Sequence, residues 1–219
     1  MSDRCDVLLL GAFHPEIAPL AGLLGSTMCG RVGQALVAAR VVGIGLPMAA
    51  AGAATRLGEL QPRAVIAIGT CGAYPGAAPE MCEVIVARRV RVVDLSVLNG
   101  VSQFPAPMSL VRDAHVPMAE AISRVTGARS ADVATTLAIT VNDATAARIA
   151  QATGCQVEHL EAHAVATACA ERGIPFGAVL AVANIVGAAA REQWRVNHQA
   201  AARAAAVAVV RWLQSGWLP

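Results

Sequence analysis

Four polar side chains of this 219-residue chain stand just past apolar runs, where backbone turns and chemistry becomes accessible. Glu16 follows Val7–Gly11, Glu158 and Glu161 flank His159-Leu160 at the start of a helical pattern, and Asn184 closes Val179–Ala183. A carboxylate can take a proton from water or accept hydrogen bonds from the two adjacent hydroxyls of a sugar. An amide can read the edge of a ring. A fifth segment, Gly69-Thr70-Cys71-Gly72-Ala73-Tyr74-Pro75-Gly76, follows the apolar run Ala64–Ile68. Its small residues would let backbone N–H groups approach a ligand, and Thr70 adds a hydroxyl. Each feature also has a plain structural reading. The glycines suit a tight turn, Glu158 and Glu161 a helix dipole, and Asn184 a turn.

Several chemistries are excluded or weakened. All 17 basic residues are Arg, so no Lys is present for a Schiff base or a P-loop. Gly43-Ile44-Gly45 has Met48 where a dinucleotide fingerprint needs its third Gly. His159 and His163 are four apart, but Glu does not follow the first His, so no zinc motif forms and no metal or other cofactor is expected. Cysteines 5, 29, 71, 82, 155 and 169 include no Cys-x-x-Cys pair and read as buried, reduced small hydrophobes. With 17 basic and 15 acidic residues the net charge is +2, and only Arg88-Arg89-x-Arg91 clusters. Nucleic acid is therefore not an expected partner.

The elements that must position these groups alternate. Strands are expected at Val7–Gly11, Gln34–Ile44, Ala64–Gly69, Val84–Val93, Val133–Val141, Gln156–Leu160 and Phe176–Ala183. Helices are expected at Glu16–Leu24, Pro47–Leu60, Met118–Val125, Asp143–Thr153, Glu161–Glu171 and Arg191–Leu213, with a loop over Leu95–Pro107. This pattern predicts an α/β protein, a three-layer α/β/α sandwich around a mixed, mostly parallel sheet, in one domain over residues 1–219. Ligands of such sheets sit at the carboxyl ends of strands, which selects Gly11–Glu16, Gly69–Gly76, Leu160–Glu161 and Ala183–Asn184. The composition is 56% hydrophobic, 15% charged and 3% aromatic, which predicts a large interior and an apolar surface shared with another subunit, a homo-oligomer. No apolar run spans a membrane uninterrupted, and Met1–Asp6 has no signal-peptide layout, so the expected address is the cytosol.

Taken in order, Gly11-Ala12-x-x-x-Glu16, Gly43-Ile44-Gly45, Gly69-Thr70-x-Gly72, Val157-Glu158 with Glu161-Ala162, and Ala181-x-x-Asn184 resemble methylthioadenosine/S-adenosylhomocysteine nucleosidases and their phosphorylase relatives. Gly72–Gly76, Asp94-Leu95-Ser96-Val97, and Asn184-Ile185-Val186-Gly187 with Trp194 ten residues after the Asn look most like futalosine hydrolase. The chain departs from these families at Met81-Cys82-Glu83, Leu160, Leu180 and Ala189-Ala190.

The resemblance implies hydrolysis of the bond between a purine and a ribose, and a place in the futalosine route to menaquinone. It gives Glu16 the activation of water, Glu161 the ribose hydroxyls, Leu160 the sugar face, and Thr70 with Gly69 and Gly72 the pocket lining. Asn184 stands where adenine-specific nucleosidases hold an Asp. An amide donates to both N7 and O6 of a 6-oxopurine, whereas adenine offers an acceptor and a donor. Adenine nucleosidase chemistry, a phosphorylase and a non-catalytic purine-binding protein are the alternatives. Phosphorolysis is disfavoured because Phe13-His14-Pro15-Glu16 brings a carboxylate, and no Arg, to the first loop.

Overall fold

The computed structural model describes residues 4–77 and 79–217, so Met1–Asp3, read above for targeting, lie outside the described residues. Strand β1 (Val7–Gly11) is buried along its whole length. It pairs in parallel with β3 (Ala35–Val41) and β4 (Ala64–Ala73). Side chains of a strand alternate between faces. Leu8 and Leu10 therefore pack with helices α3 (Leu46–Leu60) and α7 (Ala162–Ala170). Val7 and Leu9 pack on the other side with α5 (Val116–Thr126) and the long α8 (Ala190–Gln214). A strand covered on both faces has no polar side, which is why its sequence is an unbroken apolar run.

The remaining strands are β2 (Cys29–Val32), β5 (Val84–Val93), β6 (Val111–Asp113), β7 (Arg129–Thr136), β8 (Val157–Glu158) and β9 (Phe176–Ile185). They run in the order β2-β3-β1-β4-β8-β7-β5-β6, and β9 pairs with both β4 and β5. Five pairings are parallel and four antiparallel, giving a mixed sheet between helical layers. Strands β4, β9, β5, β7 and β8 thus close a circuit of pairings, and β4 sits where that circuit meets the open half.

The expected elements are present with informative differences. The helix expected over Glu16–Leu24 is instead α1 (His14–Ile17), a 3-10 turn (Ala18–Leu20) and α2 (Ala21–Leu24), since Pro19 has no N–H to continue it. Strands β2 and β6 were not expected, and a one-turn helix α4 (Leu95–Leu98), capped by the Asp94 carboxylate, interrupts the expected loop. Strand β7 stops at Thr136 rather than Val141. There the chain turns Thr140 inward, where its N–H and hydroxyl donate to Glu158, and leaves Leu137, Ile139 and Val141 exposed. Helix α6 (Asp143–Thr153) has the expected bounds and an Asn142 side-chain cap.

Strand β4 extends four residues further than expected, through Ala73. Most of the glycine segment, Gly69–Ala73, is therefore strand, paired with β9 and at Gly72–Ala73 also with β8, while the Thr70 N–H points at Glu16.

Candidate active site

The carboxyl end of β1 turns directly into α1, which returns the Glu16 carboxylate over β4. Glu16 Oε2 accepts from the Ala12 N–H at 2.8 Å. Its Oε1 accepts from the Thr70 N–H at 2.9 Å and from the Thr70 hydroxyl at 3.1 Å. A Cβ on Gly69 would lie 2.5 Å from Oε1, so the glycine is needed to seat this carboxylate. That corrects the expected reason for Gly69: its missing side chain admits Glu16, while its own peptide stays in the ladder. Glu16 is 4% exposed, and burial pushes its pKa above the ordinary carboxylate value, while the Thr70 and Ala12 N–H donors pull it back. A carboxylate so held is poised to accept a proton.

Glu161 lies just before α7 and is also buried. Its Oε1 accepts from the Gly45 N–H at 2.7 Å. Gly45 is the N-cap of α3, a position whose backbone favours an anion. Burial raises the Glu161 pKa, and the Gly45 donor opposes the rise. His159 Nδ1 accepts from the N–H groups of Glu161 and Ala162 at 3.2 and 3.1 Å. The neutral ring therefore carries its proton on Nε2, and burial lowers the His159 pKa toward that neutral form. The 3.4 Å approach of Glu161 Oε2 to Nδ1 is thus not a salt bridge. Nε2 is buried without a hydrogen-bond partner among the described residues. His163 is turned elsewhere, toward the Ser109 carbonyl and Thr167.

Glu158 behaves differently from its neighbour. Tyr74 Oη and Thr140 Oγ1 donate to Oε2 at 2.9 and 2.6 Å, and Thr140 N–H donates to Oε1 at 3.1 Å. The expectation that Glu158 binds a ligand therefore meets a carboxylate already occupied by the fold. Leu160, between the two acids, is half-buried.

Asn184 lies within the carboxyl end of β9. Cys71 pairs with Val182 and Gly72 with Asn184, so Ala183 is an extra, bulged residue. The bulge breaks the alternation that sends Leu180 and Val182 into the core and re-aims the following side chain. Asn184 Nδ2 lies 2.8 Å, and Val186 Cγ2 2.7 Å, from where a Gly72 Cβ would stand. Gly72, like Gly69, is there to clear a side chain. The Asn184 carboxamide is half-buried and makes no hydrogen bond among the described residues. Its flanking peptides are held by α8: Ile185 N–H donates to Gln193 Oε1 at 2.7 Å, and Asn197 Nδ2 donates to the Ala183 carbonyl at 3.2 Å.

Glu16, Thr70, Glu161 and Asn184 thus come from strand ends that the sheet gathers around β4, with Gly69 and Gly72 beneath. Trp194, marked in the sequence only by its spacing, donates from Nε1 to Thr70 Oγ1 at 3.2 Å. It stacks on His198 and faces Phe13. Tyr74 was marked only as part of Gly72–Gly76 and Thr140 not at all, because their role depends on a buried partner 84 and 18 residues away. Two cavities of about 350 and 290 Å³ lie elsewhere, one beside Arg4 and Asp6, the other beside Arg112 and Phe176.

The sequence profile described as Phosphorylase superfamily matches residues 7–213. The chain belongs to the Phosphorylase superfamily. No curated protein sequence matches. Among solved structures, the superfamily member is similar to 5'-methylthioadenosine/S-adenosylhomocysteine nucleosidase from Neisseria meningitidis, at 19% identity and a TM-score of 0.84 over 95% of this chain and 98% of that one. S-adenosylhomocysteine nucleosidase from Streptococcus pyogenes gives 20% identity and 0.86 over 97% of each chain. Futalosine hydrolase of Helicobacter pylori gives 14% identity and 0.84 over 95% and 97%. Of the positions where the sequence departs from the resembled families, Leu180 is fully buried core, whereas Ala189 is exposed and Ala190 buried at the start of α8.

Proposed function

We propose that this superfamily member hydrolyses the N-glycosidic bond of a purine nucleoside, with a 6-oxopurine as its base. The observation that carries the reading is the Glu16 carboxylate, buried, held on both oxygens and raised in pKa at the end of β1. Bond cleavage develops positive charge on the ribose and negative charge on the base. Glu16 takes the proton of the attacking water, with Thr70 beside it. Glu161, with one oxygen on the Gly45 N–H, takes the ribose hydroxyls, and Leu160 packs on the sugar. Asn184 donates to O6 and N7 of the departing base, for which its carboxamide has no competing partner among the described residues.

Futalosine, which carries hypoxanthine, fits this reading, and the likeness to the futalosine hydrolase of Helicobacter pylori supports it. The Phe13–Glu16 loop brings a carboxylate where phosphorolysis would need a cation, which favours water as nucleophile. The exposed Ile44, Met48, Leu137, Ile139 and Val141 support a homo-oligomer, and six free cysteines fit the reducing cytosol. The test is to incubate the protein with futalosine, inosine and methylthioadenosine, each with and without phosphate, and measure free base. Release of hypoxanthine from futalosine or inosine, independent of phosphate, is expected. Preference for methylthioadenosine would overturn the 6-oxopurine assignment.

A further inference from the structure

A Trp indole nitrogen only donates, and a Thr hydroxyl has one proton. Trp194 Nε1 donates to Thr70 Oγ1 at 3.2 Å, and Thr70 Oγ1 lies 3.1 Å from Glu16 Oε1. With the Thr70 lone pair engaged by the indole, its single proton is directed at Glu16. We propose that Trp194 is a positioning residue: by engaging the Thr70 hydroxyl oxygen, it directs the Thr70 proton at Glu16 Oε1. This rests on the assignment of Glu16 as the base.

The indole is held for that task by two rings. Its ring stacks on His198 at 4.4 Å and 17°, and Phe13, from the Glu16 loop, faces it at 6.0 Å. The His198 Nδ1 lies 3.0 Å from the Trp194 carbonyl, one turn back on α8. Gln193 and Asn197, on either side of Trp194, bond the backbone of β9 around Asn184. One stretch of α8 therefore braces both the Asn184 strand end and, through Trp194, the Glu16 carboxylate. Losing the indole N–H frees the Thr70 rotor, and the Oε1 charge loses part of its support. The Glu16 carboxyl then ionises at higher pH. The other groups that face this chain are His198 on Trp194, and His159, Glu161 and Cys71 around Glu16.

The test pairs kinetics with a readout independent of turnover. Trp194→Phe keeps an aromatic ring on His198 and Phe13 but removes the donor. Its kcat/KM at neutral pH should fall about five- to tenfold, with the acid limb of the profile moved to higher pH. Trp194→Phe should add little to Thr70→Val, since both break one chain, while in Thr70→Ser, which keeps the hydroxyl, Trp194→Phe should still move the acid limb. His198→Gln, which removes the stacked ring but keeps the indole N–H, should move the acid limb less than Trp194→Phe. In ¹⁵N–¹H spectra, the indole resonance missing from Trp194→Phe identifies Trp194. That resonance should move in Thr70→Val and in Glu16→Gln, and hold its position in Thr70→Ser. An indole resonance unmoved by Thr70→Val overturns the proposal whether or not the protein cleaves nucleosides. Turnover that fails on every nucleoside, with the resonance moving as expected, sinks the function and leaves the hydrogen-bond chain. An acid limb unmoved in Trp194→Phe, or full additivity with Thr70→Val, reduces Trp194 to packing.

Discussion

Glu158 and Glu161 are three residues apart, both buried, and differ in what surrounds their oxygens. Glu158 accepts three hydrogen bonds, from Tyr74 and Thr140, and ties β4, β8 and the segment after β7 together. Glu161 accepts from the Gly45 N–H on Oε1, the Leu160 N–H also lowers its pKa, and its Oε2 faces an imidazole nitrogen already engaged. A carboxylate with its acceptor capacity filled by the fold is scaffold, and one left short of donors is free to bind hydroxyls. Glu16 accepts three hydrogen bonds, as many as Glu158, so its assignment as base rests on the burial that raises its pKa and not on vacant acceptor capacity.

The comparison breaks first, and by the most, at Glu16. Glu16→Gln should keep the fold and lose roughly 10²–10⁴-fold in kcat, as when a positioned general base is removed. Wild-type kcat/KM should show an acid limb above the ordinary carboxylate range, because the raised pKa of Glu16 must be exceeded before it can accept a proton. The same shift has a stability sign. A carboxyl whose native pKa is raised costs no folding energy below about pH 4, where both states are protonated. The cost is complete once pH exceeds the native value. Glu16→Gln should therefore melt higher than wild type at neutral pH, and the advantage should vanish in acid. Equal melting curves at both pH values would remove burial as the cause of the shift.

Next in size are Glu161 and Asn184. Glu161→Gln loses a charged partner for the sugar hydroxyls and should cost about 1.5–3 kcal/mol, or roughly ten- to hundredfold in kcat/KM. Asn184→Asp should change the ratio of 6-oxopurine to adenine nucleoside turnover by roughly ten- to hundredfold toward adenine, since a donor would no longer face O6. An unchanged ratio would return Asn184 to the role of a bulge residue. The smallest catalytic effect belongs to Glu158. Glu158→Ala should lower stability by about 1–3 kcal/mol by stranding buried donors, with kcat/KM of the folded protein less affected than in Glu161→Gln. Calorimetry with parallel kinetics reads both, and the reverse pattern would invert the comparison.

Much of this was legible in residue order. The apolar runs at Val7–Gly11 and Phe176–Ala183 form buried strands because a strand covered on both faces needs no polar side. The strand-end rule then led to Glu16, Glu161 and Asn184. Periodicity does not carry long-range partners, so the glycine segment looked like a loop when its glycines were making room for Glu16 and Asn184. Val133–Val141 looked continuous because nothing local marks the turn of Thr140 toward Glu158. Trp194 was visible as a spacing, and its chemistry appeared only with Thr70 beside it.

The central claim is that water, activated at Glu16, attacks the ribose carbon. Futalosine or inosine hydrolysed in ¹⁸O-labelled water, with the sugar product analysed by mass spectrometry, tests it most directly. The account predicts release of hypoxanthine and one ¹⁸O on the anomeric carbon of the released sugar, with and without phosphate, in wild type and almost none in Glu16→Gln. A sugar phosphate formed only when phosphate is present, or unchanged turnover in Glu16→Gln, would contradict it.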